Sequence, residues 1–254
     1  MKENKIYYYK TYNDDFVESK KQNYELKKDY KWIKENIFYR ICSNFVYCVA
    51  YVIGSIYCKI GLHVKVKNRK VLKKYKKQGY FLYGNHTQPV GDVFIPALVA
   101  NKRIYTVVSP ANLGVAVIGK ILPMLGALPI PDSIKDTIRF KKAIEERIKQ
   151  KKCIVIYPEA HVWPYYTKIR PFQKTSFRFP VECNVASFSM TTTYYKRKFG
   201  KKPGITVYID GPFMPDSKLS KKENEEKIYK EIYQSMVDKS NNSTYEYIKY
   251  KGEK

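Results

Sequence analysis

The residues best suited to chemistry are Asn85-His86 and, six positions on from the histidine, Asp92, in the stretch Tyr80 to Asp92. An imidazole beside a carboxylate is the pair a general base needs, because the carboxylate fixes the tautomer and stabilises the charged ring. Glu159, at the end of a second apolar run, is the other carboxylate placed to join them. The three histidines, His63, His86 and His161, match no metal-ligand spacing, so no metal site is expected. The five cysteines form no CxxC pair, which fits structural thiols in a reducing compartment.

These residues need a scaffold. Tyr80-Phe81-Leu82-Tyr83, bounded by Gly79 and Gly84, reads as a buried strand, and the apolar residues from Val93 to Val99 read as a helix packed behind it. His86 then occupies a strand-to-helix turn, the position where α/β sheets bind ligands. Cys153-Ile154-Val155-Ile156-Tyr157 repeats the pattern and delivers Glu159 to the same edge. Strand, helix and strand in succession predict a mostly parallel central sheet flanked by helices, an α/β fold. Shorter strands are expected at 63–67, 104–108, 184–195 and 204–209. Ser133 and Asp136 read as a capping box opening a helix whose Ile134, Thr137, Ile138, Ile144 and Ile148 share one face. Residues 220–238 read as a closing amphipathic helix.

The ends differ in character. Residues 1–36 are polar and rich in Tyr and Lys, without the apolar core of a secretory signal. Their second half reads as helical, with Trp32 at a membrane interface or on a solvated surface. Ile41 to Cys58 carries no charge and is flanked by Arg40 and Lys59. It suits a helix lodged in one leaflet, a true span, or a buried helix. Residues 111–130 are nearly uncharged and suit a buried helix and strand or an exposed surface for a lipid chain. Residues 1–60 are therefore read as a helical, membrane-associating segment, 61–240 as the α/β domain and 241–254 as a frayed polar tail.

Net charge is +25, from 48 basic and 23 acidic residues. It favours an anionic partner, such as a membrane surface or a phosphorylated substrate. A biased composition rich in Lys, Tyr, Asn and Ile explains the same totals without a dedicated patch. A non-catalytic basic module binding anionic membrane or nucleic acid is the alternative to an enzyme. No nucleic-acid motif is present, however, so nucleic acid is not the expected partner. No GxSxG elbow and no reactive cysteine setting point to a covalent intermediate on a serine or cysteine.

Asn85-His86 with Asp92, Leu128-Pro129-Ile130-Pro131-Asp132, and Tyr157-Pro158-Glu159, in this order, resemble the bacterial 1-acyl-glycerol-3-phosphate acyltransferase family of lysophospholipid acyltransferases. The resemblance covers about residues 40 to 210 and implies transfer of an acyl group to a lysophospholipid in phospholipid biosynthesis. The donor would be a co-substrate thioester, acyl-CoA or acyl-ACP, with no resident cofactor, at the cytoplasmic face of the membrane. His86 would be the base and Asp92 its orienter. The family's first block has four residues between His and Asp, whereas five intervene here. On a continuous helix the extra residue would turn Asp92 from about 140° to about 240° around the axis, but Pro89 and Gly91 make a continuous helix there unfavourable. Asn85, Asp132, Glu159 and His161 would bind substrate. The family's second block usually ends in a basic residue, where this chain has Asp132. The third block's Arg is absent after Glu159, leaving Lys168 or Arg170 to supply the cation, or an acceptor that is not a simple phosphomonoester.

Overall fold

The computed structural model describes residues 5–17 and 24–253. Among the described residues strand β1 (Lys5–Tyr9) comes first, and helix α1 (Ile37–Ile56) follows, continued by a π-helical turn at Tyr57–Gly61. Then come β2 (Val64–Lys67), β3 (Tyr80–Gly84), α2 (Gly91–Ala100), β4 (Ile104–Val108), α3 (Ile118–Leu125) and β5 (Ala127–Pro129). The chain continues with α4 (Ile134–Lys149), β6 (Cys153–Ile156), α5 (Arg178–Cys183), β7 (Ser187–Tyr195), β8 (Gly204–Phe213), α6 (Lys221–Ser240) and β9 (Ile248–Gly252).

Seven strands form one sheet in the order β2-β8-β7-β3-β6-β4-β5. Every neighbouring pair is parallel except β7 with β8. The expected α/β architecture is the observed one. The central strands are apolar throughout because both faces of the sheet are covered. Tyr80, Leu82, Cys153 and Val155 point into one core with Ile95, Val99 and Cys58. Phe81, Tyr83, Ile154 and Ile156 point into the other, against Phe140, Ile144, Ile228 and Ile232. Each such side chain removed from water contributes roughly 1.5–3 kcal/mol. Helix α4 is capped by Ser133, whose hydroxyl accepts the Asp136 N–H at 3.1 Å. Its buried face is Phe140, Ala143, Ile144 and Ile148, while Ile134 and Ile138 are exposed, so the expected stripe is correct only in its second half.

Helix α1 lies along the domain. Near its start Ser43 donates to the Met124 carbonyl at 2.8 Å, at its middle Tyr47 donates to Lys102 O at 3.4 Å, and near its end Gly54 meets Phe94 of α2. A Cβ on Gly54 would lie 2.2 Å from the Phe94 ring, so glycine is what lets α1 and α2 approach. The outward side presents Ile37, Phe38, Ile41, Phe45, Val49, Val52, Ile53, Ile56 and Ile60, all exposed, at helical spacing. The helical stretch Ile37–Gly61 is long and apolar enough, by length and composition, to cross a membrane. Val115, Val117, Ile118 and Ile121, from the run at 111–130, are exposed as well, whereas Leu128 is buried.

The chain ends depart from the sequence reading. Among the described residues no helix precedes Ile37, and residues 18–23 of the expected helix lie outside them. Trp32 is buried and donates its indole N–H to the Pro129 carbonyl at 2.9 Å, because a ring of that size finds cover against Phe140. The tail is not frayed: β9 pairs in parallel with β1, from Lys5 with Ile248 to Tyr9 with Gly252. Residues 1–60 and 241–254 thus meet through a strand pair whose hydrogen bonds local sequence does not reveal.

Candidate active site

Gly84 ends β3, and the chain then runs without helix through Asn85 to Gln88, turns at Pro89-Val90, and enters α2 at Gly91. This turn absorbs the fifth, extra residue between His86 and Asp92. The His86 Nδ1 lies 2.7 Å from the Asp92 Oδ2. The same oxygen accepts the Gln88 N–H at 2.9 Å, so the carboxylate closes the turn as well as gripping the ring. A carboxylate only accepts, so the shared proton sits on Nδ1 and the Nε2 lone pair is left to act as a base. The imidazole side chain is 21% exposed and Asp92 is 3% exposed, so the ring meets solvent while its partner does not.

Tyr157 completes the cradle. Its ring stacks on His86 with centroids 4.4 Å apart and 17° between planes, and its hydroxyl donates to the Asp92 carbonyl at 2.7 Å. The sequence reading took Tyr157 as the end of a strand and as part of the Tyr157-Pro158-Glu159 motif, and gave it no role at the imidazole. Its place one residue past β6, level with the turn after β3, was the signal available.

Behind the imidazole lies a buried ion pair. Glu159 and Arg170 have side chains that are 0% exposed and meet at 3.0 Å. Glu159 Oε2 also accepts the His86 backbone N–H at 3.0 Å, and Oε1 accepts the Arg170 N–H at 2.9 Å. The guanidinium further donates to the carbonyls of His161 and Tyr12 and lies over the Trp163 ring. Trp163 N–H donates to His86 O at 3.0 Å and Tyr165 N–H to Thr87 O at 2.9 Å, which ties the loops after β3 and β6 together.

The remaining expected site residues divide. Asn85 is buried, with its amide donating to Thr192 O at 3.0 Å and accepting the Thr192 N–H at 2.7 Å. Both ends are spent on β7, so Asn85 anchors the turn to the sheet. Arg170 and Glu159, expected to bind substrate, are likewise occupied with each other and closed from solvent. His161 turns its Nδ1 to Asp15 Oδ2 at 3.4 Å, and Lys168 is exposed. Asp132 is exposed on the loop after β5. Strand β5 is three places from β3 in the sheet. At the usual spacing between strands that is about 14 Å.

The N-terminal segment covers this loop from outside. Asp14 O accepts the Trp163 indole N–H at 2.8 Å, and Tyr250 of β9 stacks on Trp163 at 5.0 Å. Tyr7, Tyr9, Phe16 and Tyr166 pack around the same rings. Among the described residues no group of His, Cys, Asp and Glu could hold a metal ion.

A family model described as Acyltransferase matches residues 63–195, a span that contains His86, Asp92, Glu159 and Arg170. Among solved structures, the chain resembles the crystal structure of the 1-acyl-sn-glycerophosphate (LPA) acyltransferase, PlsC, from Thermotoga maritima, with a TM-score of 0.57 and 13% identity. The likeness covers 84% of this chain and 86% of that one, and at this identity it speaks for the fold. No curated protein matches the chain in sequence.

Glu159→Gln should destabilise the fold by about 3–5 kcal/mol in urea unfolding, because it leaves the buried guanidinium without its counter-charge. Lys168→Gln, a change on exposed surface, should stay within about 0.5 kcal/mol of the parent.

Burial raises the Asp92 carboxyl above its ordinary 3.8, outweighing the lowering by the His86 ring and by the N–H groups of Gln88 and Thr87. An acid raised in the folded state adds stability below its unfolded value, and that stability is lost as pH rises through the folded value. Asp92→Asn should therefore melt no lower than the parent at pH ~7.5, with any advantage vanishing near pH ~4, in paired calorimetric scans. A clear loss of melting temperature at neutral pH would show that the ionised carboxylate stabilises the turn.

Proposed function

Because this chain belongs to the Acyltransferase family, whose model covers more than half of it, we propose that it moves a fatty acyl group from a thioester to a lysophospholipid. The donor is acyl-CoA or acyl-ACP, and the acceptor is of the 1-acyl-glycerol-3-phosphate type, the substrate named for the Thermotoga relative. The observation that carries the reading is the 2.7 Å contact between His86 and a buried Asp92, with the ring still open to solvent.

In this reaction His86 Nε2 takes the proton from the acceptor hydroxyl as its oxygen attacks the thioester carbonyl. The C–O bond forms, the tetrahedral centre collapses, and the C–S bond breaks. The imidazolium returns the proton to the departing thiolate, giving an ester and a free thiol. Asp92 stabilises the imidazolium during its lifetime, as the orienting carboxylate does in other base-activated sites. Glu159 and Arg170 hold the backbone of the base and take no part in proton transfer. Of the two loop cations, Lys168 is the one free to meet a headgroup.

The enzyme works on a membrane surface, with α1 lying in one leaflet. Its outer stripe is apolar along the whole length, while its inner side is hydrogen-bonded to the domain at Ser43 and Tyr47 and packed against Phe94 at Gly54. A helix held along its length cannot thread the bilayer alone, which favours immersion in the plane over a span.

Purified protein supplied with acyl thioester and lysophosphatidate should release free thiol and form diacyl product. His86→Ala should lower turnover by roughly 10²–10⁴-fold with the fold intact. Equal turnover in that variant would remove the base from the mechanism.

Replacing Phe38 and Phe45 by Glu should weaken flotation with lipid vesicles by at least about tenfold per site, given roughly 1.5–3 kcal/mol for each buried ring. Unchanged flotation would exclude α1 as the immersed surface.

A further inference from the structure

A cavity of about 510 Å³ opens at the opposite edge of the sheet from His86. It lies where the chain passes from Trp32 into the first turns of α1, beside the residues that precede β4 and β6. Its lining holds six cations, including Lys34, Arg40, Arg103, Arg147 and Lys152, against the carboxylates of Glu35 and Glu146.

The cations crowd one another. Arg103 and Arg147 both lie over the ring of Tyr105, at 5.5 Å and 4.5 Å from its centroid. Arg103 donates to Asn44, to Ser43 and to the Met124 carbonyl. Arg147 donates to the Gln150 side-chain oxygen and to Trp32 O. All of these acceptors are neutral. None of the five cations belongs to an ion pair among the described residues. Glu146 accepts instead from the Gln150 amide. The Nε of Arg103, the Nε of Arg147 and the hydroxyl of Tyr39 are buried without a partner. Burial, followed by the nearness of Arg103, Arg147 and Arg40, pushes the Lys152 ammonium below its ordinary range.

Positive charge gathered in a concavity, with two carboxylates for six cations and none of them in an ion pair among the described residues, is relieved by an anion, and guanidinium groups match the oxygens of phosphate. We propose that this cavity binds a phosphate-bearing anion, either the headgroup of a membrane lipid or a free phosphate compound. The assignment to phosphate stands on the charges and their geometry; the lipid source alone rests on the membrane reading above. For that source the position is apt. Ile37, Phe38 and Ile41 are exposed on the same turns of α1 whose Tyr39, Arg40, Ser43 and Asn44 line the cavity. A leaflet that takes up the apolar side meets the cavity at headgroup depth.

The test uses the full chain and a double variant, Arg40→Gln with Lys152→Gln, beside a control that removes equal charge elsewhere, Lys221→Gln with Lys222→Gln. Arg40 and Lys152 make no side-chain hydrogen bond among the described residues, so their loss leaves the packing of α1 in place. Thermal shift is titrated with inorganic phosphate, and flotation is measured with phosphatidylglycerol and phosphatidylcholine vesicles. The expected result is at least fivefold weaker binding in the cavity variant, parental binding in the control, and unchanged thiol release with detergent-dispersed substrates. Weakening seen in both titrations identifies a general phosphate site, and weakening confined to phosphatidylglycerol vesicles identifies a lipid headgroup. Equal losses in the two variants, no loss in either, or no binding by the parent would overturn the proposal. Because binding is read without catalysis, an inactive but phosphate-binding protein separates this inference from the proposed reaction.

Discussion

Glu159 is the group on which the rest of the site depends. An ionised carboxylate taken out of water costs several kcal/mol unless its oxygens are matched by donors. Here they are matched by the Arg170 guanidinium, the Arg170 N–H and the His86 N–H. The last of these fixes the backbone of His86, and the turn that follows brings Asp92 to the ring. The position of the imidazole is therefore set by a charge it never touches with its side chain. Removing that charge would loosen the geometry and unfold part of the domain together, which is why Glu159 belongs to the support of the site and His86 to its chemistry.

The support extends to both chain ends. Arg170 is closed from solvent partly by Tyr12, and Trp163 by Asp14, Phe16 and Tyr250. Strands β1 and β9 hold those residues through their pairing with each other. Aromatic rings supply large buried area with few rotatable bonds, so a short segment of chain suffices to cover the ion pair.

The surface is divided in a way that net charge alone would hide. Lysines are spread widely, but the cluster at the amino edge of the sheet is drawn together by the packing of α1, β4 and α4 around Tyr105. The helix that carries the apolar stripe passes from that cluster to α2, whose first turn carries Asp92. One element thus connects the proposed membrane face, the cationic cavity and the proposed reaction centre.

The strands β3 and β6, the turn at His86 and the departure of Asp92 from a continuous helix were legible in the chain, because each follows from local period and from Pro89 and Gly91. A continuous apolar run needs cover on both faces, and that requirement alone predicts the parallel sheet. The roles of polar residues were not legible. Nothing local shows that the Asn85 amide meets Thr192, 107 positions away, or that the Arg170 guanidinium meets Tyr12, 158 positions away. Trp32 and the terminal strands were misjudged for the same cause. Apolar periodicity is a local property that sequence displays, whereas the satisfaction of a buried polar group is decided by whichever distant atoms the fold brings within about 3 Å.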